Sequence, residues 1–364
     1  MTEKFVGPRT DLAVEAREMF IERNPDKKEE LDGIIIKEYQ EEDVKLTRVK
    51  IDEEGSERVG KSAGHYITIE SQKLRNLDYK FEKKMATILG AEIERLIKMH
   101  DIHPDASCLV VGLGNDYVTP DALGPQALKK AYITQHLFKL QPETVEKGFR
   151  PVSAFTPGVM GLTGIETSDL IFGAVKETNP DFIIVIDALA ARSVDRVNTT
   201  VQLSDTGIHP GSGVGNDRKE VSEKTLEVPV FSIGIPTVVD AVTITADTID
   251  YILKHFGREM RDGDQASKAL TPAGMTFGER VELTDADLPD EESKEKYLGV
   301  VGSLSEDEKR QLIREVLSPI GHNLMVTPKE VDDVIDHMSK LVASGVNQGL
   351  HSHIKQENAR DFIT

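Results

Sequence analysis

Two aspartates stand where a carboxylate can do acid–base work. Asp121 lies in SCLVVGLGNDYVTPDALGP (107–125), directly after a threonine and a proline, and Asp187 follows an apolar run in PDFIIVIDALAAR. Such a pair can hydrolyse a peptide with water: one carboxylate takes a proton from the water, and a protonated partner gives one to the carbonyl or the leaving amine. Asp121 alone reads more readily as a helix-capping acid than as a catalyst. The second acid in an equivalent setting makes the pair a candidate, since the intervening sequence leaves room for one crossover between parallel strands. Which of the two is base and which is acid is not readable from sequence.

The elements that must carry them follow from the apolar pattern. Cys108 to Val111 and Phe182 to Ile186 are short unbroken apolar runs, the pattern of strands buried on both faces of a parallel sheet. Gly112 and Gly114 allow a sharp turn at the end of the first. Thr119 then reads as an N-cap with Pro120 at the first helical position, so Asp121 faces the positive end of a helix dipole at the carboxyl edge of the sheet. Strands and helices alternate from 107 to 256, which predicts an α/β fold with a mostly parallel sheet flanked by helices. A strand is expected at 229 to 233 and a helix from about Val239.

Elsewhere the pattern changes. Residues 1–11 are polar with Gly7 and Pro8, an unstructured and removable arm, and helical character begins at Thr10. Alternation from Gly33 to Ser71 predicts antiparallel hairpins, an inserted or flanking β element. Met85, Leu89, Ile93 and Ile97 place a long core helix from about Asp78 to His100. Residues 257 to 310, charged and carrying Gly and Pro, read as a loop-rich excursion, and two helices close the chain. The expected organisation is a single catalytic α/β domain over 12–364.

Lys and Arg number 44 against 63 Asp and Glu, a net charge of −19, which argues against nucleic acid or an anionic membrane as partner. Cys108 is the single cysteine, so a disulfide framework is excluded, and its place in a buried strand makes it an inert core thiol. With neither an apolar leader nor a membrane span in the sequence, the expected location is a reducing cytoplasm. GLGN lacks the third glycine of a dinucleotide loop, and no Gly-Lys-Ser/Thr follows it. Asp205-Thr206-Gly207 resembles the triplet of all-β aspartic proteases, but here it falls in a glycine-rich loop and reads as a turn. His209, His322, His351 and His353 lack metal-ligand spacing, and Ser193 and Ser212 lie in no nucleophile motif. The glycine-rich loops at 157–164 and 211–215 fit either backbone donors to an oxyanion or simple loop closure.

Longer strings point further. RTDLAVEA (9–16), VVGLGNDYVTPDALGP (110–125), TPGVMGLTGIET (156–167), VIDALAAR (185–192), HPGSGVGN (209–216) and GIPTVVDA (234–241) together resemble the germination proteases of endospore-forming bacteria, which degrade small acid-soluble spore proteins. The resemblance implies an atypical aspartic-type endopeptidase made as a zymogen, active as a homotetramer in the forespore or spore core, with Asp121 and Asp187 as its essential acids. A more distant likeness, through Gly114, Asn115, Thr119 and Asp121, is to hydrogenase maturation proteases. It implies a core of that type and leaves metal assistance open, although no cofactor is required. Thr10 to Glu15 is similar to the family's own cleavage site, which implies self-processing between Asp11 and Leu12. The alternatives are a metal-assisted peptidase and a non-enzymatic protein whose paired acids bind a basic peptide or a metal.

Overall fold

A computed structural model describes residues 10–16, 18, 33–76, 78–209, 219–262, 283–302, 304–317 and 324–354. These fall into two compact units, one of 10–239 with 327–354, the other of 240–326. The arm before Thr10 and most of the 209–216 string lie outside the described residues.

The first unit is built on strands β1 (Ile34–Glu41), β2 (Val44–Ile51), β3 (Gly64–Glu70), β4 (Cys108–Gly112), β5 (Val152–Phe155), β6 (Phe182–Ala191), β7 (Thr200–Ser204) and β8 (Val230–Asp240). Across the sheet they run β1-β2-β3-β7-β8-β6-β4-β5. Strands β5, β4, β6 and β8 are parallel neighbours, whereas β8–β7, β7–β3, β3–β2 and β2–β1 are antiparallel. The fold is therefore α/β with helices on its sheet. The antiparallel hairpins are not a separate flank, because β7 joins them to the parallel strands as one continuous sheet.

The apolar runs sort by period two onto the two faces. Val110, Ile184, Ile186 and Ile233 pack with Met85, Leu89 and Ile93 of helix Tyr79–Met99 and with Met338, Leu341 and Val346 of helix Val331–Leu350. Leu109, Val111, Ile183 and Val185 pack with Ile171 and Val175 of helix Thr167–Thr178 on the other face. Asp78 caps the first of these helices by accepting from Lys80 N–H, which agrees with the boundary read from sequence. Helices Tyr79–Met99 and Val331–Leu350 approach through glycines: a Cβ on Gly90 would lie 2.9 Å from Gln348 Cβ and 3.1 Å from the Gly345 carbonyl oxygen.

Three expectations are corrected. Strand β6 does not stop at Ile186 but continues to Ala191, because β8 continues beside it and satisfies its backbone. That same strand carries GIPTVVD to Asp240, where a helix from Val239 is expected. Pro236 is accommodated at a register shift between Leu189 and Ala190, as prolines in sheets usually require. Within 257–310 the described residues are largely helical, with the end of helix Ala241–Asp262 and helix Glu291–Leu298. In the second unit, Val242 and Ala246 of helix Ala241–Asp262 pack with Ile313 of helix Glu306–Leu317. Among the described residues no helix is long and apolar enough to cross a membrane.

Candidate active site

Asp121 follows the carboxyl end of β4, and Asp187 lies within the adjacent parallel strand β6 at the level where β4 ends. The last β4–β6 pair is Gly112 with Ile186, and Leu113 N–H donates to the Ile186 carbonyl at 2.8 Å. Asp187 is thus the first residue of β6 beyond the end of its neighbour. Its register partner on β8 is Gly234. It continues the Ile183–Val185 row, so it lies on the face covered by helix Thr167–Thr178. Asp187 is 8 % exposed, and one carboxylate oxygen accepts from Ala188 N–H at 2.9 Å.

Asp121 is placed by the turn that leaves β4. Its carboxylate accepts from Asn115 N–H at 2.8 Å, and its own carbonyl accepts from the same N–H at 3.1 Å. This return requires glycine at 114: φ is +114°, and a Cβ there would lie 1.9 Å from the Asp121 carbonyl oxygen. Thr119 is not the N-cap expected from sequence. Val118 holds that position, and Thr119–Asp121 is a single 3-10 turn before the short helix Leu123–Leu128. The turn is tied to the sheet by Thr237 of β8, whose hydroxyl donates to the Pro120 carbonyl at 2.7 Å. Thr237 is 1 % exposed and had no motif to announce it.

Asp11 and Leu12 lie against the same strand β6. Asp11 N–H donates to the Ala190 carbonyl at 3.1 Å, and Ala190 N–H donates to the Asp11 carboxylate at 2.9 Å. The Leu12 side chain is wholly buried. Ala13 N–H donates to Gln202 Oε1 at 2.7 Å, and Gln202 Nε2 donates to the Asp11 carbonyl at 3.1 Å. Lys61 Nζ donates to the carbonyls of both Thr10 and Asp11, each at 3.1 Å. Burial pulls the Lys61 ammonium below the ordinary lysine range, against the pull of the Asp11 and Glu15 carboxylates. Glu15 is fully buried and accepts from Arg192 N–H at 2.8 Å, Ser193 N–H at 3.0 Å and the Thr10 hydroxyl. Arg196 holds Glu18 through two hydrogen bonds at 2.6 and 2.7 Å. Sequence reasoning missed Lys61, Gln202 and Arg196. For Gln202 a signal existed, a polar residue in the middle of the strand run TVQLS.

The other candidates resolve individually. Asp205 is a buried carboxylate shared by His65, through N–H at 2.6 Å and Nδ1 at 2.7 Å, and His100 Nε2 at 3.1 Å. Burial pushes the Cys108 thiol far up, so it stays protonated. Burial also pulls His351 down to about 4, and its Nδ1 accepts from Arg150 N–H, so the ring is neutral. His209 is exposed, and His353 pairs with Glu146. The Ser193 hydroxyl accepts from Asp195 N–H. In the 157–164 loop the Leu162, Thr163 and Gly164 amides are bonded within the loop itself. Ser212, His322 and the 211–215 loop lie outside the described residues. Among the described residues no three His, Cys, Asp or Glu side chains gather in a geometry that could hold a metal ion.

Residues 13–363 match the family model described as germination protease. The germination protease of Priestia megaterium is 60 % identical over 352 residues, covering 96 % of this chain and 95 % of that protein. That of Bacillus cereus is 58 % identical and that of Bacillus cytotoxicus 59 %, each over 350 residues with the same coverage of both chains. Among solved structures, a nickel–iron hydrogenase maturation protease from Thermococcus kodakarensis KOD1 aligns at 15 % identity over 36 % of this chain and 74 % of its own, with a TM-score of 0.23.

Proposed function

The chain belongs to the germination protease family and is a peptidase; on that premise we propose that Asp121 and Asp187 hydrolyse the peptide bond between them with water as nucleophile. The observation that carries this reading is their placement. Asp187 is the first residue of β6 past the end of β4, and Asp121 is pinned on the turn that leaves β4. Crevices at this edge of α/β sheets are where ligands bind. In this reading one carboxyl is ionised and takes a proton from water, while the other is protonated and delivers its proton to the leaving nitrogen. In this reading the two carboxylates alone activate water and donate the proton, an aspartic-type mechanism on a mixed α/β fold rather than an all-β one.

The finer reading completes the proposal. The substrates are small acid-soluble spore proteins, cleaved in the spore core by a homotetramer that is made as a zymogen and cuts itself between Asp11 and Leu12. Docking of Thr10 to Glu15 against β6 supports the last point, since the bond to be cut is held on the strand that carries Asp187. Asp121→Asn and Asp187→Asn keep side-chain volume and remove acid–base function. Each is expected to cut turnover of a spore-protein peptide by more than about a hundredfold with an unchanged circular dichroism spectrum. Near-parental turnover in either folded variant removes that residue from the mechanism.

A further inference from the structure

Lys61 and Gln202 converge on one oxygen. Lys61 Nζ and Gln202 Nε2 each donate to the Asp11 carbonyl at 3.1 Å, the carbonyl of the bond to Leu12. Among the described residues the Lys61 ammonium has no ion pair; its hydrogen bonds go to the carbonyls of Thr10 and Asp11. The Asp11 and Glu15 carboxylates pull on this half-buried ammonium, but its hydrogen bonds go to neutral carbonyls, which only partly offset its loss of water. The offset grows once the Asp11 oxygen carries negative charge, because charge-assisted donors strengthen as the acceptor becomes anionic. Gln202 fixes the position as well, since its Oε1 accepts from Ala13 N–H at 2.7 Å and its amide thereby spans Leu12 from the Asp11 carbonyl to the Ala13 N–H.

The sheet register puts this clamp on the face that carries Asp187. Thr68 pairs with Gln202, Gln202 with Gly234, and Gly234 with Asp187, so all four belong to one cross-strand row and point to one face. Gln202 and Asp187 are separated by two strand spacings, roughly 10 Å. The residue between them, Gly234, has no side chain and makes room for that of Leu189, whose Cγ a Cβ at 234 would meet at 2.4 Å.

We propose that Lys61 Nζ and Gln202 Nε2 are the oxyanion donors for hydrolysis of the Asp11–Leu12 bond. The proposal rests on the reading that this bond is cut by the Asp121 and Asp187 pair. Water adds to the Asp11 carbonyl carbon and gives one proton to the ionised carboxylate. The electron pair of the C=O bond moves to oxygen, where Lys61 and Gln202 hold the negative charge. Collapse re-forms C=O and breaks the C–N bond, and the Leu12 nitrogen takes the proton of the second carboxyl. Asp11 leaves as a carboxylic acid and Leu12 as an amine, with water the sole co-reactant.

The test follows self-processing of the full chain by intact mass. Removing one oxyanion donor costs roughly a hundred- to a thousandfold, so Lys61→Met is expected to slow release of the Leu12 N-terminus by that factor, and Lys61→Arg to restore part of it. Gln202→Glu keeps an acceptor for Ala13 N–H but replaces the donor with a negative charge, and is expected to slow it at least as much. Hydrogen exchange at the Ala13 amide reads docking separately and should stay protected in both slowed variants. Parental processing elsewhere than Asp11–Leu12 overturns the proposal together with the reading it rests on. Correct parental processing, with Lys61→Met and Gln202→Glu at the parental rate, overturns the clamp alone. Slowed processing with loss of Ala13 protection also overturns it, because the two residues would then only dock the segment.

Discussion

At the scale of single residues, the chemistry depends on which groups are held in which charge state, and Asp205 shows how buried the control can be. Burial alone would raise its carboxyl, but the hydrogen bonds from His100 and His65 outweigh this and hold it below the ordinary range. The same contact raises His100 above 6.5 against its own desolvation, with Glu223 and Asp101 adding to the rise. The stabilisation from a raised histidine is complete below its unfolded value near 6.5 and is lost as pH climbs through the raised folded value. That from a lowered carboxylate is present above about 4 and is lost as pH falls through the folded value. Urea unfolding at pH 6 and pH 8.5 should therefore show the parent losing more stability on the alkaline side than Asp205→Asn, which cannot favour the imidazolium. Equal losses would mean that His100 gains nothing from Asp205. His65 and His100 thus act through Asp205 on the 64–70 strand and its neighbour, and the triplet Asp205-Thr206-Gly207 is structural where its letters suggest a protease.

At the scale of elements, the helix pair Tyr79–Met99 and Val331–Leu350 shows what closeness demands. A Cβ on Gly90 meets the Gln348 Cβ and a backbone carbonyl, neither of which can swing away. Gly90→Ala, favourable for an isolated helix by about 1 kcal/mol, is expected instead to destabilise the protein by about 1–3 kcal/mol through overpacking. Denaturant titration measures it, and a gain in stability would show that the helices can separate at no cost. The Tyr79–Met99 helix was legible because its apolar spacing and its Asp78 cap are local signals. Strands β4 and β6 were legible as apolar runs, and with them the positions of Asp121 and Asp187. The continuation of β6 to Ala191 was not, because pairing with β8 across a proline holds it. Nor could local sequence show that Lys61 meets Asp11 or that Thr237 meets Pro120, since those contacts join residues far apart in the chain.

At the scale of the whole molecule, a net charge of −19 meets a site that holds acids. Asp11 and Glu15 are accepted in this chain by backbone N–H groups of β6 and the turn after it, donors that are neutral and short-ranged. Lys61 and Arg196 add positive charge locally, but Arg196 is already engaged by Glu18, Glu70 and Glu15. A separate peptide carrying Asp-Leu-Ala-Val-Glu must first approach through the field of the whole molecule, which repels it. Screening shortens that field from about 30 Å at 0.01 M salt to about 8 Å at 0.15 M. Raising salt over this range should therefore lower KM for the peptide several-fold while leaving kcat unchanged, because encounter improves and the docked geometry does not. The proposed cleavage of the chain's own Asp11–Leu12 bond would have no encounter step, so its first-order rate should be insensitive to the same change. The two measurements made side by side separate approach from chemistry. A KM that rises with salt would show that the local cations around Lys61 and Arg196 dominate the approach, and a self-cleavage rate that changes with salt would show that the segment is not docked before it is cut.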